Sequence, residues 1–293
     1  MADTRIAFIG GSGLYDMEGL EDREEVDVDT PFGDPSDSVV LGTLVGTRLA
    51  FLPRHGRGHR LSPTEIPARA NIFALKTLGV ERIVSISAVG SLQEEVRPLD
   101  MVVPDQLIDR TRQRPNTFFG DGIVAHVAFA DPYCAELSEL LVEAGRLNGI
   151  TTHKGGTCVV MEGPQFSTLA ESELYRSWGA SIIGMTALPE AKLAREAEIC
   201  YTTMALVTDY DCWHDSEESV TVEMIVQNLM QNVERSKEVV AKLVPTIPES
   251  RECACASALE NAIITAPDAV PPDVRSRLAP LVGKYFREVS KVT

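Results

Sequence analysis

Short apolar runs recur along the chain and alternate with longer segments whose apolar residues have helical spacing. The most prominent run lies within Ile199–Trp213, where nine residues of near-continuous apolar and β-branched character are too few for a helix of normal length. Such a run predicts a strand that is buried on both faces of a sheet, as a central parallel strand is. Arg5–Gly10, Arg82–Ala88 and Ser181–Gly184 predict further buried strands.

The remaining segments complete an α/β pattern. Val39–Val45 and Thr47–Pro53 alternate apolar and polar residues and predict a hairpin, whereas Met101–Ile108 and Thr151–Glu162 each predict one continuous strand. Helices are predicted from the capping box Ser62-Pro63-Thr64-Glu65 to about Leu78, from Asp131 to about Leu147, from Ser167 or Thr168 with Glu171, from Pro189, over Val220–Leu243 and over Pro272–Val289. The predicted fold class is α/β, a single domain with a central mixed, mostly parallel twisted sheet flanked by helices. We expect residues 1–245 to form this domain and residues 246–293 to be a C-terminal linker and helix that pack on it.

Composition and charge narrow the class of protein. At 293 residues and 44% hydrophobic content, the chain can bury one large core. Its formal net charge of −16 argues against a nucleic-acid or membrane partner, because neither surface attracts a chain without a large basic face. No charged segment followed by an apolar one opens the sequence, and no run approaches the roughly 18 apolar residues of a membrane span. We therefore expect a cytoplasmic protein, whose substrate can still be a small anion if cationic groups are concentrated locally.

The six cysteines fall into two groups. Cys134, Cys158, Cys200 and Cys212 are scattered through predicted strands and helix edges, and we interpret them as small buried hydrophobic residues. Cys253 and Cys255 are separated by Ala254 alone. A metal site usually needs a second pair, which the sequence does not present, so a strained disulfide or two free thiols in a surface tail are expected and no metal is.

Candidate chemistry lies where strands end. The strand in Ile199–Trp213 releases Thr208, Asp209 and Asp211 at its carboxyl end, and open α/β sheets bind ligands at these ends. After the first strand, Gly10-Gly11-Ser12-Gly13 predicts an anion-binding loop with a hydroxyl from Ser12. A dinucleotide-binding fingerprint begins there but fails, because Asp16 occupies the position of the third glycine.

Further strand ends add a cationic, a hydroxyl-bearing and an apolar group. Arg54 and His55 follow the hairpin and are candidate ligands of an oxyanion, and Ser87-Ala88 is a second candidate for phosphate or sugar contacts. The inventory is a hydroxyl-rich and cationic group (Ser12, Arg54, His55, Ser87, Thr186), an apolar and aromatic group (Phe166, Met185) and an acidic pair (Asp209, Asp211). These groups suit an anion, a flat or apolar body, and a heterocycle with donor N–H groups.

With these motifs, the sequence resembles a known family, the methylthioadenosine phosphorylases of the trimeric purine nucleoside phosphorylase superfamily. The resemblance spans residues 5 to about 243 and is carried by Gly10-Gly11-Ser12-Gly13-Leu14, Asp29-Thr30-Pro31-Phe32-Gly33, Arg54-His55-Gly56-Arg57, Ala70-Asn71-Ile72, Glu162-Gly163-Pro164-Gln165-Phe166-Ser167, Ala170-Glu171-Ser172, Gly184-Met185-Thr186, Pro189-Glu190 and Thr208-Asp209-Tyr210-Asp211-Cys212-Trp213. It implies a purine nucleoside phosphorylase-like fold and phosphorolysis of 5′-deoxy-5′-methylthioadenosine to adenine and 5-methylthioribose 1-phosphate. It also implies inorganic phosphate as co-substrate, no metal or organic cofactor, and a homotrimer or dimer of trimers.

The resemblance assigns roles to residues of this sequence. Phosphate is implied to contact Ser12, Arg54, His55, Ser87, Ala88 and Thr186, and the nucleoside to contact Phe166, Ser167, Met185, Thr208, Val222, Ile225 and His126 from a neighbouring subunit. Asp209 and Asp211 are the implied catalytic acids. Ser stands at 12 and 87 where relatives often carry Thr, which keeps the hydroxyl, and Gln165 stands where Arg is usual.

The pair of acids also bears on the base. A carboxylate accepts a hydrogen bond from the exocyclic amine of adenine but repels the carbonyl of a 6-oxopurine, so Asp209 and Asp211 favour 6-aminopurines. The alternatives are a purine nucleoside phosphorylase of wider specificity, a non-catalytic nucleoside-binding protein and a dinucleotide-dependent oxidoreductase.

Overall fold

A computed structural model describes residues 4–11, 13–14, 16–214 and 222–286, with the backbone alone for 222–226. Its strands are β1 Ile6–Gly10, β2 Glu21–Val26, β3 Val39–Leu44, β4 Thr47–Pro53, β5 Arg82–Ser91, β6 Met101–Val103, β7 Gln106–Arg110, β8 Thr152–Lys154, β9 Thr157–Met161, β10 Ile182–Gly184 and β11 Cys200–Asp209. Its helices are α1 Ala68–Thr77, α2 Ala135–Leu147, α3 Leu169–Ser177, α4 Ala187–Glu196, α5 Val222–Leu243, α6 Pro272–Arg277 and α7 Ala279–Val282.

The strands form one mixed sheet of 11 strands in the order β2-β3-β4-β1-β5-β10-β9-β7, with β11 paired to β5 and β6, and β6 paired to β8. β1 lies parallel to β4 and β5, and β11 runs parallel to β5 from Cys200 opposite Arg82 to Asp209 opposite Gly90. β3 and β4 form the predicted antiparallel hairpin. The predicted fold class is confirmed, and β4, β1, β5 and β11 all end at the same edge of the sheet.

Successive side chains of the central strands point to opposite faces of the sheet, and a layer of helices covers each face. In β1, Ala7 and Ile9 pack with α1 and α4, whereas Ile6 and Phe8 pack with α2 and α5. All five residues of β1 are buried, as its uninterrupted apolar sequence predicts for a strand covered on both faces. No helix among the described residues has the length and apolar character needed to cross a bilayer.

Three predicted elements have different bounds because of proline or glycine. The helix expected from Ser62 begins at Ala68, since Ile66 precedes Pro67 and is thereby held out of the helical conformation; Ser62–Glu65 forms a separate hydrogen-bonded turn. The strand expected over Met101–Ile108 breaks after Val103, where Pro104 offers no N–H to the sheet. Beside it, Gly155 and Gly156 adopt positive φ angles of 86° and 107° and divide the strand expected over Thr151–Glu162.

The segment after α5 returns to the sheet. Val274, Leu278 and Leu281 are buried in the same core cluster as α1 and α4, and the Arg82 guanidinium donates to the Ser250 carbonyl oxygen at 2.7 Å. The single helix expected over Pro272–Val289 is instead α6, α7 and a 3₁₀ turn at Gly283–Tyr285, and its last residues lie outside the described part. A surface tail was also expected for Cys253 and Cys255, and this is wrong for Cys255, which is only 6% exposed.

Candidate active site

The acidic pair lies at the junction of β11 and β5. The Thr208 hydroxyl lies 2.7 Å from Asp209 Oδ2 and 3.2 Å from the Val89 carbonyl oxygen. The Asp211 backbone N–H donates to Asp209 Oδ1 at 2.8 Å, which Asp211 achieves with a left-handed φ of 52°. Both carboxylate oxygens of Asp209 are therefore oriented by their own neighbours in sequence, at the strand end that the sequence indicated.

Asp211, in contrast to Asp209, has a carboxylate oxygen without a hydrogen-bond partner among the described residues. Its Oδ2 and the hydroxyl of Ser172 are buried without a hydrogen-bond partner among the described residues. Burial raises the pKa of Asp211 and the charge of Asp209 adds to the increase, whereas the nearby hydroxyls of Ser172 and Ser167 oppose it. Gly90 borders both acids, since a Cβ there would lie 3.2 Å from Asp209 Oδ1 and 3.4 Å from Asp211 Cβ. The missing side chain of Gly90 leaves open the space beside the two carboxylates.

Two predicted phosphate ligands meet across the sheet edge. The Ser87 hydroxyl in the second half of β5 and the Thr186 hydroxyl before α4 lie 3.0 Å apart. Ser87 and the exposed Ala88 line a small cavity of about 90 Å³, whose wall also includes Gly11 and Gly13 of the glycine loop and Asn232 of α5. Ser12 lies outside the described residues. The structure thus brings Ser87, Ala88, Thr186 and the glycine loop to one end of the sheet.

Arg54 is engaged more deeply than the sequence suggested. Its guanidinium is buried and donates to Glu190 Oε1 at 2.6 Å, to the Ser85 hydroxyl at 2.6 Å and to the Ile86 carbonyl oxygen at 2.9 Å. Burial alone would lower the pKa of Arg54, but the charge and hydrogen bonds of Glu190 raise it. With the Ile9 carbonyl oxygen also bound, one Nη1 N–H has no partner among the described residues. The predicted contact of Arg54 with phosphate stays a prediction, restricted to that donor.

His55 is a neutral neighbour of this ion pair. Its Nδ1 lies 2.8 Å from the Leu61 carbonyl oxygen, an acceptor, so Nδ1 carries the proton. Burial lowers the pKa of His55 to about 4, and the charges of Arg54 and His59 contribute in the same direction. The Nε2 lone pair of His55 therefore remains an acceptor at neutral pH.

The apolar side of the site is formed by the loop after β9 and the residues before α4. Gly163 has a φ of 68°, and a Cβ on it would lie 2.6 Å from Met185 Sδ, so glycine permits the loop to lie against Met185. Phe166 is 73% exposed. Ser167 lies nearby, with its hydroxyl 3.7 Å from Met161 Sδ and its carbonyl oxygen accepting from the Cys212 thiol.

Two other predicted contacts are placed differently. Val222 and Ile225 belong to α5, but their side chains lie outside the described part of the chain. His126 is exposed and lines a recess of about 400 Å³ with Phe119, Val127 and Phe129, and the acidic pair is not part of this recess. His126 is thus not brought to the acids of its own chain.

Comparison with known proteins identifies the family. A family model described as the phosphorylase superfamily matches residues 5–245. The chain belongs to the phosphorylase superfamily. The S-methyl-5′-thioadenosine phosphorylases of Koribacter versatilis and Geobacter sulfurreducens are 59% and 58% identical to it, over 97% and 96% of this chain and 98% of each relative.

Solved structures agree with the sequence relatives. A methylthioadenosine phosphorylase sourced from an antarctic soil metagenomic library is 53% identical with a TM-score of 0.92, covering 96% of this chain and 99% of that one. The Schistosoma mansoni methylthioadenosine phosphorylase in complex with adenine is 36% identical with a TM-score of 0.81, covering 88% and 96%. The resemblance that the motifs suggested is therefore confirmed for this phosphorylase.

Two further residues of this phosphorylase, Arg114 and Asn228, position the segments that form the site. Arg114 lies in the long loop after β7, only 8% exposed, and donates to the carbonyl oxygens of Met185, Leu188, Met161 and Glu162. It therefore joins the loop after β9 to the segment before α4. Asn228 of α5 acts similarly on β11, donating to the Thr208 carbonyl oxygen at 2.8 Å. Neither residue has a sequence signal, because their acceptors are backbone atoms distant in sequence.

Proposed function

We propose that this phosphorylase converts 5′-deoxy-5′-methylthioadenosine and inorganic phosphate to adenine and 5-methylthioribose 1-phosphate. The observation that carries the proposal is near-full-length identity above one half with curated S-methyl-5′-thioadenosine phosphorylases. The acidic pair at the end of β11 supports it, because an adenine leaving group offers N–H donors to carboxylates.

In this mechanism, Asp209 and Asp211 bind the purine base. Cleavage of the N-glycosidic bond builds negative charge on the purine, which a proton held at N7 neutralises. Asp209, oriented by Thr208 and the Asp211 N–H, shares that proton. The unpartnered Oδ2 of Asp211 accepts from the adenine amine. Thr208 lies against the same base.

At the sugar, the phosphate group itself stabilises the developing charge and then bonds to C1′. The sugar becomes positively charged as the bond breaks, and phosphate below C1′ stabilises that charge before bonding to it. Phosphate sits among Ser12, Arg54, His55, Ser87, Ala88 and Thr186, where one hydroxyl of the 3.0 Å pair Ser87 and Thr186 donates to the other and the second proton of the pair is free for the anion. Neutral His55 accepts a hydrogen bond from a protonated phosphate oxygen. No metal or organic cofactor has a part in this scheme.

The nucleoside is enclosed partly by a second subunit. Met185 contacts the ribose, Phe166 and Ser167 contact the sugar or base, and Val222, Ile225 and a neighbouring subunit's His126 surround the methylthio group. The exposed apolar side chains Phe166, Leu169 and Trp178 would gain by burial against a second subunit, which supports an oligomer. We propose a homotrimer or dimer of trimers that acts in the cytoplasm.

Adenine release from methylthioadenosine, followed by chromatography with and without phosphate, tests the function. We expect release that requires phosphate and yields the sugar 1-phosphate. Release of free methylthioribose without phosphate would contradict the phosphorylase assignment. Binding without release would leave only a nucleoside-binding protein. A parallel assay with adenosine and inosine determines the substrate breadth.

A further inference from the structure

Four cysteines from three distant parts of the chain meet at the opposite end of the sheet from the acidic pair. Cys134 precedes α2, Cys200 begins β11, and Cys253 and Cys255 lie in the C-terminal segment. Their sulfur atoms all lie within 4.8 Å of one another, and Cys134, Cys200 and Cys255 are buried. Cys134 and Cys200 therefore supply in space the second cysteine pair that the sequence spacing does not show.

The spacing of these sulfur atoms suits one tetrahedral metal ion. A Zn–S bond of about 2.3 Å places the four sulfur atoms of a tetrathiolate roughly 3.8 Å apart. The Cys200 and Cys253 sulfur atoms lie 3.3 Å apart and no two sulfur atoms of the cluster are more than 4.8 Å apart, so small shifts bring all four to this spacing. A disulfide would use the sulfur atoms only in pairs, whereas here all four converge on one point.

The position of Cys134 in the fold suits a thiolate ligand. Cys134 immediately precedes the first turn of α2. The start of a helix is positive and stabilises an anion there. Arg82 lies opposite Cys200 in the sheet and donates to the carbonyl oxygen of Ser250, three residues before Cys253, so the C-terminal segment is also held to β5 beside the cluster.

We propose that Cys134, Cys200, Cys253 and Cys255 bind one structural zinc ion that fastens the C-terminal segment to the sheet. The ion replaces the thiol protons and holds the segment beside the first residue of β11. Asp209 lies nine residues along this strand, roughly 30 Å away at about 3.3 Å per residue. The site therefore stabilises the fold and takes no part in phosphorolysis.

Metal analysis of protein prepared with zinc under reducing conditions tests the proposal. We expect about one zinc per chain in the wild type, as for a closed structural site, and the same in Cys158→Ala, which removes a buried thiol outside the cluster. The double variant Cys253→Ser with Cys255→Ser should lose the zinc. Cobalt substitution of the wild type should produce the visible absorption bands of a tetrahedral tetrathiolate, and these should be absent from the double variant.

A second readout needs no variant. Treatment of the folded wild type with a mercurial reagent should release the zinc to a coloured chelator, and the midpoint of thermal unfolding should then fall. Wild-type protein that stays free of metal, with its cluster cysteines either alkylated as free thiols or linked as disulfides in peptide maps, would overturn the proposal. Equal zinc content in the wild type and the double variant would overturn the assignment to these cysteines.

Discussion

The two acids at the end of β11 differ in how their oxygen atoms are used. Thr208 and the Asp211 N–H orient Asp209, whereas Oδ2 of Asp211 is buried without a described partner. A buried acceptor that lacks a hydrogen bond costs about 1–3 kcal/mol, which a ligand donor can recover. This asymmetry separates the roles of the pair: Asp209 is positioned for proton transfer and Asp211 for recognition of an amine.

Replacement of Asp209 by Asn tests that division of roles. The amide cannot share a proton with N7, so we expect kcat/KM for methylthioadenosine to fall about a hundredfold or more, which corresponds to roughly 3 kcal/mol of transition-state stabilisation. The amide can donate to a carbonyl, so the bias against inosine should weaken. Steady-state kinetics on both nucleosides measure this, with the exposed Asp34→Asn as control. Near-normal turnover of methylthioadenosine would show that Asp209 is not the acid.

The lowered pKa of His55 predicts how its contribution to the free energy of unfolding depends on pH. Its pKa of about 4 lies below the ordinary value of 6.5, so between these values the unfolded chain binds a proton that the folded chain does not. The contribution of His55 to the free energy of unfolding is therefore fully present above pH 6.5 and is lost as the pH falls toward 4. We expect the His55 ring protons to titrate near pH 4 in an NMR series. A midpoint near 6.5 would contradict the burial of His55, and one above 7 would contradict its role as a neutral acceptor at phosphate.

At the scale of elements, the Arg54–Glu190 pair joins β4 to α4. Both side chains are buried, and Glu190 also accepts from the Tyr201 hydroxyl of β11 at 3.0 Å. Removal of one partner of a buried pair typically costs 3–5 kcal/mol, because the other charge is left uncompensated. Arg54→Ala alone should therefore lower the free energy of unfolding by about that amount, which would obscure any effect on phosphate.

A double variant separates the two roles of Arg54. Addition of Glu190→Gln to Arg54→Ala removes the stranded charge and should recover part of the lost stability in denaturant unfolding. If Arg54 also binds the anion through its remaining N–H, the double variant should still show a KM for phosphate raised more than that for nucleoside. Glu190→Gln alone is the control. Equal changes in both KM values would assign Arg54 a structural role only.

Helix α5 is the element expected to set 5′ specificity. Asn228 and Asn232 fix its first half against β11 by donating to the Thr208 and Val207 carbonyl oxygens. Val222 lies six residues before Asn228, about 9 Å along the helix axis. We expect the methylthio group of methylthioadenosine to need apolar walls near Val222. The 5′-hydroxyl of adenosine needs a hydrogen-bond partner instead, because burying it unpaired costs about 1–3 kcal/mol.

The variant Val222→His should therefore shift preference from methylthioadenosine toward adenosine. The ratio of kcat/KM values for the two nucleosides measures the shift, and Met230→His, on an exposed position of the same helix, is the control. An unchanged ratio would remove Val222 from the pocket.

The elements that the sequence predicted well are those whose pattern is set by burial alone. β1, β5 and β11 are mostly apolar or β-branched runs that are buried over most of their length, and the capping box of Thr168 and Glu171 forms at the start of α3. The edge strand β2 was missed because its residues are almost all charged and exposed, which resembles a loop. The residues of the site differ in the same way. The acids and hydroxyls near strand ends could be predicted from the local sequence, whereas Arg114 and the cysteine cluster depend on contacts between residues distant in sequence.

At the scale of the whole molecule, the position of His126 separates it from the chemistry of its own chain. It is exposed on a loop whose backbone is tied to Ala262 by a 2.8 Å hydrogen bond, in a recess lined with aromatic and aliphatic side chains. If that recess meets the exposed Phe166 of another chain, each active site contains residues from two subunits. Activity then depends on assembly.

Subunit mixing tests this dependence directly. Loss of the His126 side chain should lower kcat/KM for methylthioadenosine about tenfold, the usual effect of one missing contact in an apolar pocket, and Asp209→Asn should be nearly inactive. When the two variants are mixed, dissociated and reassembled, some sites pair an intact Asp209 from a His126→Ala chain with an intact His126 from an Asp209→Asn chain. Such sites are complete, so the specific activity per His126→Ala chain should rise above that of the unmixed variant, in proportion to the fraction of mixed interfaces. Reassembly of His126→Ala with wild-type chains under the same conditions calibrates the exchange. Activity that equals the weighted mean of the two separate variants, despite verified exchange, would place His126 outside the neighbouring site.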